Sequence, residues 1–459
     1  MNIDCHYYGT YYIARKAGFS DEDALQIAWA AQTVDECHVK NMGELTKMAS
    51  DSSVLREFDS CFLLTILDTA DDIRHTFSCN ALIENTSMPS QIMLTAVRSI
   101  WMPFHFLPGN WRKALAFNQM EFYQGSDSDF LNIKNQHYGQ NMHDWGLMCR
   151  TSSETCWQMI KNAKKQYHEW KGINDEIALS AVGIAMHVLA DTWSHEFFVG
   201  SPNRLINFAV REKNAPLVHS MSTEDLVRIS FSDYTYDALG HGPAGTAPDI
   251  PYLNEKYVLY HDFLSKYAES AKFKVRNNQK RFLNAFCQML LALRYVLSDD
   301  NPETDALARE NFLDKYAEVK EELTKVQKLF DNLKIVTVQS LSKNTRDTYN
   351  EFVFPGPRES ADKWQDLIHD EFKVRIKAYD LKEYGIYKIM NFMQAAKKHR
   401  ASVLDFVTES TGWQDVFAFS SPSRDAPFDA DECVRRFFNV MSTSNDKILS
   451  FYVPIKNES

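Results

Sequence analysis

The chain has 459 residues, of which 44% are hydrophobic, and a formal net charge of −11 at pH 7. The length allows a large buried core, and the acidic excess argues against a broad nucleic-acid-binding surface. Because there are only 16 glycines and 14 prolines and little strict alternation of apolar residues, the sequence predicts an all-α protein.

The cysteines and the first residues predict a reduced, cytoplasmic protein. The eight cysteines include no C-x-x-C pair, and the opening MNIDCHYYG lacks the charged-then-apolar pattern of a signal peptide. No apolar run reaches about 18 residues, so no segment is expected to span a bilayer.

The N-terminal region offers the first candidate ligands. Asp4 and His6 would point the same way in an extended backbone. Helices are predicted at 8–17 and, after an acidic capping signal, at 21–38. Asp35 closes the apolar stripe of the second helix and is either a metal ligand or a helix-end charge.

The next two segments differ in character. A helix predicted at 54–73 ends in an acidic group that is best explained as a solvated face. The segment IWMPFHFLP then places His105 between two prolines among large apolar residues. A buried imidazole needs a bonded partner, so His105 is either a metal ligand or a core histidine bonded to a backbone carbonyl.

A further helix is predicted at 144–171, and the adjacent pair His143 and Asp144 marks its start. Such a pair raises the alternative of an HD-type phosphohydrolase. In that case the pair would hold the metal, and replacement of His187 would leave the metal in place.

The longest apolar segment, 177–200, carries His187, Asp191 and His195 at intervals of four residues. A helix would place the three on one face, and burying them without partners would cost several kcal/mol. His187 and His195 would lie roughly 12 Å apart along the axis, which is too far for both to bind one ion. Either several metals bind with Asp191 between them, or the helix ends near Trp193 and His195 folds back. The simpler alternative is a network of hydrogen bonds to Asp191 or to backbone carbonyls.

The last candidates lie in a loop rich in glycine and proline, YDALGHGPAGTAPDIPY, which presents His241 and Asp249. Twelve of the 14 histidines fall at or before His261, so the chemistry is assigned to the first part of the chain. We therefore predict a helical metal-binding core domain at 1–298 and a helical C-terminal extension at 299–459.

The C-terminal half contains amphipathic patterns that predict helices at 257–295 and 306–333. A last helical part is predicted to start near Ser360. The helix at 306–333 would form either a helical hairpin or the contact of a homo-oligomer.

Four phrases in order carry a resemblance: HYYGTYYIARKAGFS, MPFHFLPG, GIAMHVLADTWSHEFFVG and LGHGPAGTAPDIPYL. They resemble segments of a family of uncharacterised bacterial proteins, over about residues 1–260. More remotely, the arrangement is similar to the helical zinc hydrolases that include phospholipase C and the single-strand-specific nucleases. This resemblance implies an all-α core that holds two or three zinc ions. It also implies hydrolysis of a phosphate ester, such as a phospholipid headgroup, a nucleotide or a nucleic-acid end.

The resemblance further implies a ligand set and a chemistry. Asp35 and Asp191 would be the catalytic carboxylates, with Asp191 as a bridge, and Asp249 a further carboxylate. Zinc lowers the pKa of a bound water towards about 7, although iron and manganese also accept mixed imidazole and carboxylate ligands. The implied metal ligands are Asp4, His6, Asp35, His105, His187, Asp191, His195 and His241.

The chain departs from those zinc hydrolases in three ways. It lacks their metal-binding N-terminal tryptophan, for which Asp4 would substitute, and its spacing from Asp191 to His195 is shorter. The fourth residue after His241 is Gly245, where the relatives have an acidic residue. A non-catalytic helical binding or scaffold protein stabilised by a metal cluster is therefore the alternative. It predicts bound metal, a large loss of stability on metal removal and no phosphoester turnover.

Overall fold

The computed structural model describes 1–36, 98, 101–111, 146–201, 207, 209–211, 240–241, 247–251, 257–259, 278–299, 302–333, 356–381 and 385–412. Every structural statement below concerns these residues. The predicted helix at 54–73 and the pair His143 and Asp144 lie outside them.

The described residues are mostly helical, as predicted. A π-helix at Asp4–Gly9 opens the chain, and short 3-10 helices lie at Ala247–Asp249 and Tyr316–Leu323. The α-helices are α1 (Thr10–Ala17), α2 (Asp21–Glu36), α3 (Glu154–Trp170), α4 (Asp175–Ser194), α5 (Asn278–Leu297), α6 (Pro302–Asp314), α7 (Thr324–Asn332), α8 (Gly356–Phe372) and α9 (Gly385–Thr411).

Two predicted helices were wrong at their N-terminal ends. Residues 257–259, expected to be helical, form the strand β2 (Tyr257–Leu259), which pairs antiparallel with β1 (Ala209–Arg211). Aromatic and β-branched residues such as those of β2 favour a strand once a partner is present. Helix α3 begins ten residues later than predicted because Ser153 caps it, accepting a hydrogen bond from the Cys156 amide at 3.3 Å.

Helix α4 is the centre of the fold. Its N-cap, Asn174, accepts a hydrogen bond from the Ile177 amide at 3.2 Å, and every residue from Ile177 to Ser194 is buried. Helices α2, α3, α5 and α9 pack around it. Within the described chain it is the one helix long and apolar enough to cross a membrane, but it is wholly buried in the fold, as core helices of this composition are.

A glycine sets the distance between α4 and α2. A Cβ built on Gly183 would lie 2.4 Å from the Ile27 carbonyl oxygen and 2.6 Å from the Ala30 Cβ. The two helix backbones therefore approach closely at this point. This contact places the end of α2, with Asp35, beside His187 one turn further along α4.

The C-terminal helices pack on the same core. Trp364 of α8 lies against Phe286 of α5, and His399 of α9 donates a hydrogen bond from Nε2 to the Pro103 carbonyl at 2.8 Å. The domain boundary at residue 298 stays a prediction. The described residues on its two sides share one hydrophobic core.

Candidate metal site

Helix α4 ends where the site begins. His187 and Asp191 lie in its last two turns, and His195 is the C-cap residue, with φ −96° and ψ 10°. The helix therefore ends near Trp193 and His195 folds back, which is one of the two geometries predicted for this segment. Its Nδ1 donates to the His105 carbonyl at 2.7 Å, which joins the end of α4 to the segment that carries His105.

The first group of donor atoms, set A, surrounds one carboxylate oxygen of Asp191. Asp191 Oδ2 is 3.1 Å from His187 Nε2 and 3.2 Å from His105 Nδ1, and the two ring nitrogens are 3.2 Å apart. The Oδ1 atom of Asp35 lies 3.6 Å from His187 Nε2. Two imidazoles and the Asp191 carboxylate thus converge, and Asp35 adjoins them through its contact with His187.

The second group, set B, uses the other oxygens of the same carboxylates. Asp191 Oδ1 is 3.1 Å from His6 Nε2 and accepts a hydrogen bond from the amino group of Met1. Asp35 Oδ2 is 3.8 Å from His6 Nε2. Asp191 and Asp35 therefore each present one oxygen to set A and one to set B.

The third group, set C, joins His195 to the loop predicted from its glycines and prolines. Asp249 Oδ1 is 2.9 Å from His195 Nε2, and Asp249 Oδ2 is 3.2 Å from His241 Nε2. The Met1 amino group is 3.4 Å from Asp249 Oδ1 and so lies between sets B and C.

These distances suit metal coordination. Two ligand atoms at 2.0–2.1 Å from one zinc lie about 2.9–3.6 Å apart for bond angles of 90–120°. The contacts of 3.1–3.6 Å within set A, of 2.9–3.2 Å within set C and of 3.1 Å between His6 and Asp191 in set B fall inside that interval. The distance of 3.8 Å between His6 and Asp35 lies just outside it. Three groups could each hold a metal ion: His105–His187–Asp191 of set A, His195–His241–Asp249 of set C, and His6–Asp35–His187, which draws its residues from sets A and B.

Buried ring nitrogens also fit a metal. Neither nitrogen of the His6 ring makes a well-aligned hydrogen bond with a described residue, although Nε2 lies 3.1 Å from Asp191 Oδ1 and the ring is fully buried. Such a group is costly without a partner. In His195, donation from Nδ1 to a carbonyl leaves the Nε2 lone pair directed at set C. This second-sphere bond is the type that fixes the tautomer of a metal-binding histidine.

The electrostatics favour the ligating protonation states. Burial holds the pKa of His6 and of His187 below the usual value, so both imidazoles stay neutral. Burial alone would raise the pKa of Asp191, but the Met1 ammonium holds that pKa well below its usual value. The pKa of Asp249 is also lowered against the effect of burial, and the Met1 ammonium contributes to this shift. Neutral imidazole and carboxylate are the forms that bind metals.

An aromatic ring packs against the histidines of set C. Phe106 stacks on His195 with ring centroids 4.7 Å apart, and its centroid is 5.9 Å from that of His241. Gly240 has a φ of +53°, and a Cβ on it would lie 2.3 Å from Phe106 Cζ. Glycine is needed here both for the backbone conformation and for the close approach of the ring.

The structure brings together seven of the eight predicted ligands: His6, Asp35, His105, His187, Asp191, His195 and His241. Asp4 lies outside the three sets, and its Oδ2 accepts a hydrogen bond from Ser360 at 2.5 Å. Two further groups join the site. Asp249 was predicted only as an additional carboxylate, and the amino group of Met1 was not predicted because no side-chain type signals it.

The fold and the site define a helical protein whose buried histidine and aspartate groups could hold metal ions. The chain belongs to a family of unknown function, DUF6765, whose model matches residues 1–407. No curated protein and no solved structure matches the chain.

Proposed function

We propose that this protein is a metal-dependent phosphoester hydrolase with a multinuclear, zinc-type centre, as its resemblance to the zinc phospholipases and nucleases implies. The observation that carries the proposal is the division of two carboxylates between neighbouring donor sets. Asp191 and Asp35 each direct one oxygen at set A and the other at set B. Carboxylates that bridge closely spaced ions are typical of centres that act on phosphate esters.

The charge of the loaded centre supports an anionic substrate. Three divalent ions would bring six positive charges against the three carboxylates of Asp35, Asp191 and Asp249, leaving a local excess of positive charge. This excess would attract a phosphate group although the whole chain is acidic, with a net charge of −11. Bound zinc supplies an activated water at neutral pH and neutralises the charge that develops on phosphoryl oxygens.

The exposure of the carboxylates supports a centre that substrate can reach. Asp191 is 1% exposed, whereas Asp35 and Asp249 are 16% and 15% exposed. Solvent therefore reaches the cluster at sets A and B through Asp35 and at set C through Asp249. A hydrolase needs such access to its centre and a scaffold does not, so this exposure is consistent with the proposed hydrolase.

The first experiment is the metal content per chain, measured by inductively coupled plasma mass spectrometry on protein purified without chelator or added metal. We expect two or three transition-metal ions in the wild type. Asp191→Asn should lose the ions of sets A and B, whereas Asp249→Asn should lose only the ion of set C. Asp366→Asn, an exposed residue paired with Arg375, is the matched control and should change nothing.

The second experiment is a screen of phosphodiesters, phosphomonoesters and phospholipids with the loaded protein. The proposal would be supported by wild-type turnover that is lost on chelation and returns when metal is added back, and that is absent in Asp191→Asn. Metal without any turnover would favour the scaffold alternative. Less than about 0.2 metal ion per folded chain would refute the metal centre and leave a buried hydrogen-bond network. Metal lost in His143→Ala but retained in His187→Ala would instead support the HD-type alternative.

A further inference from the structure

The C-terminal extension contacts the N-terminal π-helix on the side away from the metal site. Ser360, near the start of α8, donates a hydrogen bond to Asp4 at 2.5 Å, and both side chains are buried. The two residues are 356 positions apart in the chain. This contact therefore joins the N-terminal π-helix to the C-terminal extension.

Asp4 and His6 occupy opposite sides of the π-helix. Two residues turn by about 200° in an α-helix and by a somewhat smaller angle in the wider π-helix. Asp4 accordingly faces α8, whereas His6 faces Asp191, 3.1 Å away. A rotation or shift of this short helix at Asp4 would move the His6 ring out of set B.

Contacts with α5 and with the C-terminal extension also hold the same short helix. Gly9 lies so close to α5 and α8 that a Cβ on it would be 2.6 Å from the Phe286 ring and 3.4 Å from Trp364. Tyr7, next to His6, donates a hydrogen bond from its hydroxyl to the Lys377 carbonyl at 3.0 Å. The segment that follows α8 thus covers the helix that carries His6.

We propose that Ser360 and Asp4 are positioning residues for the metal centre, and that α8 completes set B by fixing His6 in place. The inference rests on the proposed metal centre and adds a role for the C-terminal extension in it. Ser360 touches no donor atom of the three sets, so its effect must pass through Asp4 and the π-helix. Residues of this kind change metal affinity by about 10–100-fold when replaced.

The test compares Ser360→Ala with Ser360→Thr, which keeps the hydroxyl, and with Ser402→Ala. Ser402 is a matched control because it is another serine of the extension whose hydroxyl donates a hydrogen bond, but its acceptor is the His399 carbonyl of its own helix. Zinc affinity is measured by competition with a chromogenic chelator. We expect Ser360→Ala to bind one ion at least about 10-fold more weakly and the other ions normally. Ser360→Thr should recover much of the loss, and Ser402→Ala should equal the wild type.

A second readout does not depend on metal. Hydrogen–deuterium exchange of the chelator-treated protein reports residues 1–9 and α4 separately. Ser360→Ala should exchange at least about 10-fold faster in 1–9 with no change in α4, which also shows that the variant folds. Equal exchange of 1–9 and equal zinc affinity in Ser360→Ala and the wild type would overturn the inference. Absence of zinc from the wild type would overturn the proposed function, and the exchange result would then decide whether α8 fixes the π-helix.

Discussion

Replacement of Gly183 by alanine tests whether the close packing of α2 on α4 builds the metal site. The added Cβ would lie 2.4 Å from the Ile27 carbonyl oxygen, and ordinary contact begins at 3.4 Å. The helices must therefore separate by about 1 Å at this point. Asp35 and His187, which lie beyond the contact on the two helices, would move apart by a similar distance.

The expected effect on stability is small and the effect on the metal is large. Overpacking costs about 1–3 kcal/mol, and alanine recovers about 1 kcal/mol of helix propensity, so the net loss is roughly 0–2 kcal/mol. Metal–ligand distances tolerate about 0.2 Å, so a 1 Å displacement removes Asp35 from its ion. We expect a folded protein with at least one metal ion less per chain.

The assay is metal content together with thermal unfolding, and Gly172→Ala is the matched control. Gly172 has a φ of +84° and would meet no atom within 4 Å. Its replacement should therefore cost about 1–2 kcal/mol through backbone strain alone and keep every ion. A Gly183→Ala protein with the full metal content would refute the reasoning, and so would equal metal loss in the two variants.

Two further predictions concern residues around the site. Burial lowers the pKa of His399 to about 4, against a usual 6.5. The unfolded chain therefore takes up the proton first, and stability falls by about 3 kcal/mol between pH 6.5 and 4. In chelator-treated protein, urea unfolding of His399→Gln should show a loss of unfolding free energy between pH 6.5 and 4 that is smaller than the wild-type loss by that amount. Equal losses in the two proteins would contradict the assignment. Gly240→Ala should displace the Phe106 ring from His195 and lower the affinity of set C for zinc, while a variant with unchanged zinc binding would show that the ring is dispensable.

The sequence was sufficient to predict the central helix and the positions of the candidate ligands on it. The apolar run at 177–200, with polar residues every fourth position, predicted the face of α4 that carries His187 and Asp191. It left the position of His195 open because the apolar pattern continues beyond the helix. The structure ends α4 at Ser194, and Phe197 adopts a positive φ of 75°. Glycine usually marks such a helix end, and phenylalanine gives no such signal.

Other parts of the site depend on contacts that no local pattern records. The position of the Met1 amino group between Asp191 and Asp249 follows from the path of the chain and involves no side chain. The contact of Asp4 with Ser360 joins residues that are 356 positions apart in the chain. An extended N-terminus would have directed Asp4 and His6 to the same side. The π-helix instead separates them, and this is why Asp4 lies outside the metal sets.

The rigidity of the elements that carry each set predicts the order in which the ions leave. Sets A and B share Asp191, which is fixed on a helix buried along almost its whole length. Set C depends on His241 and on Asp249, which is 15% exposed and lies on a three-residue 3-10 helix. Local opening requires less free energy where fewer buried contacts must break, so the ion of set C should leave first. In stopped-flow chelation the wild type should show a fast phase of about one ion that Asp249→Asn lacks. A fast phase that survives in Asp249→Asn would assign the labile ion to set A or B and contradict this order.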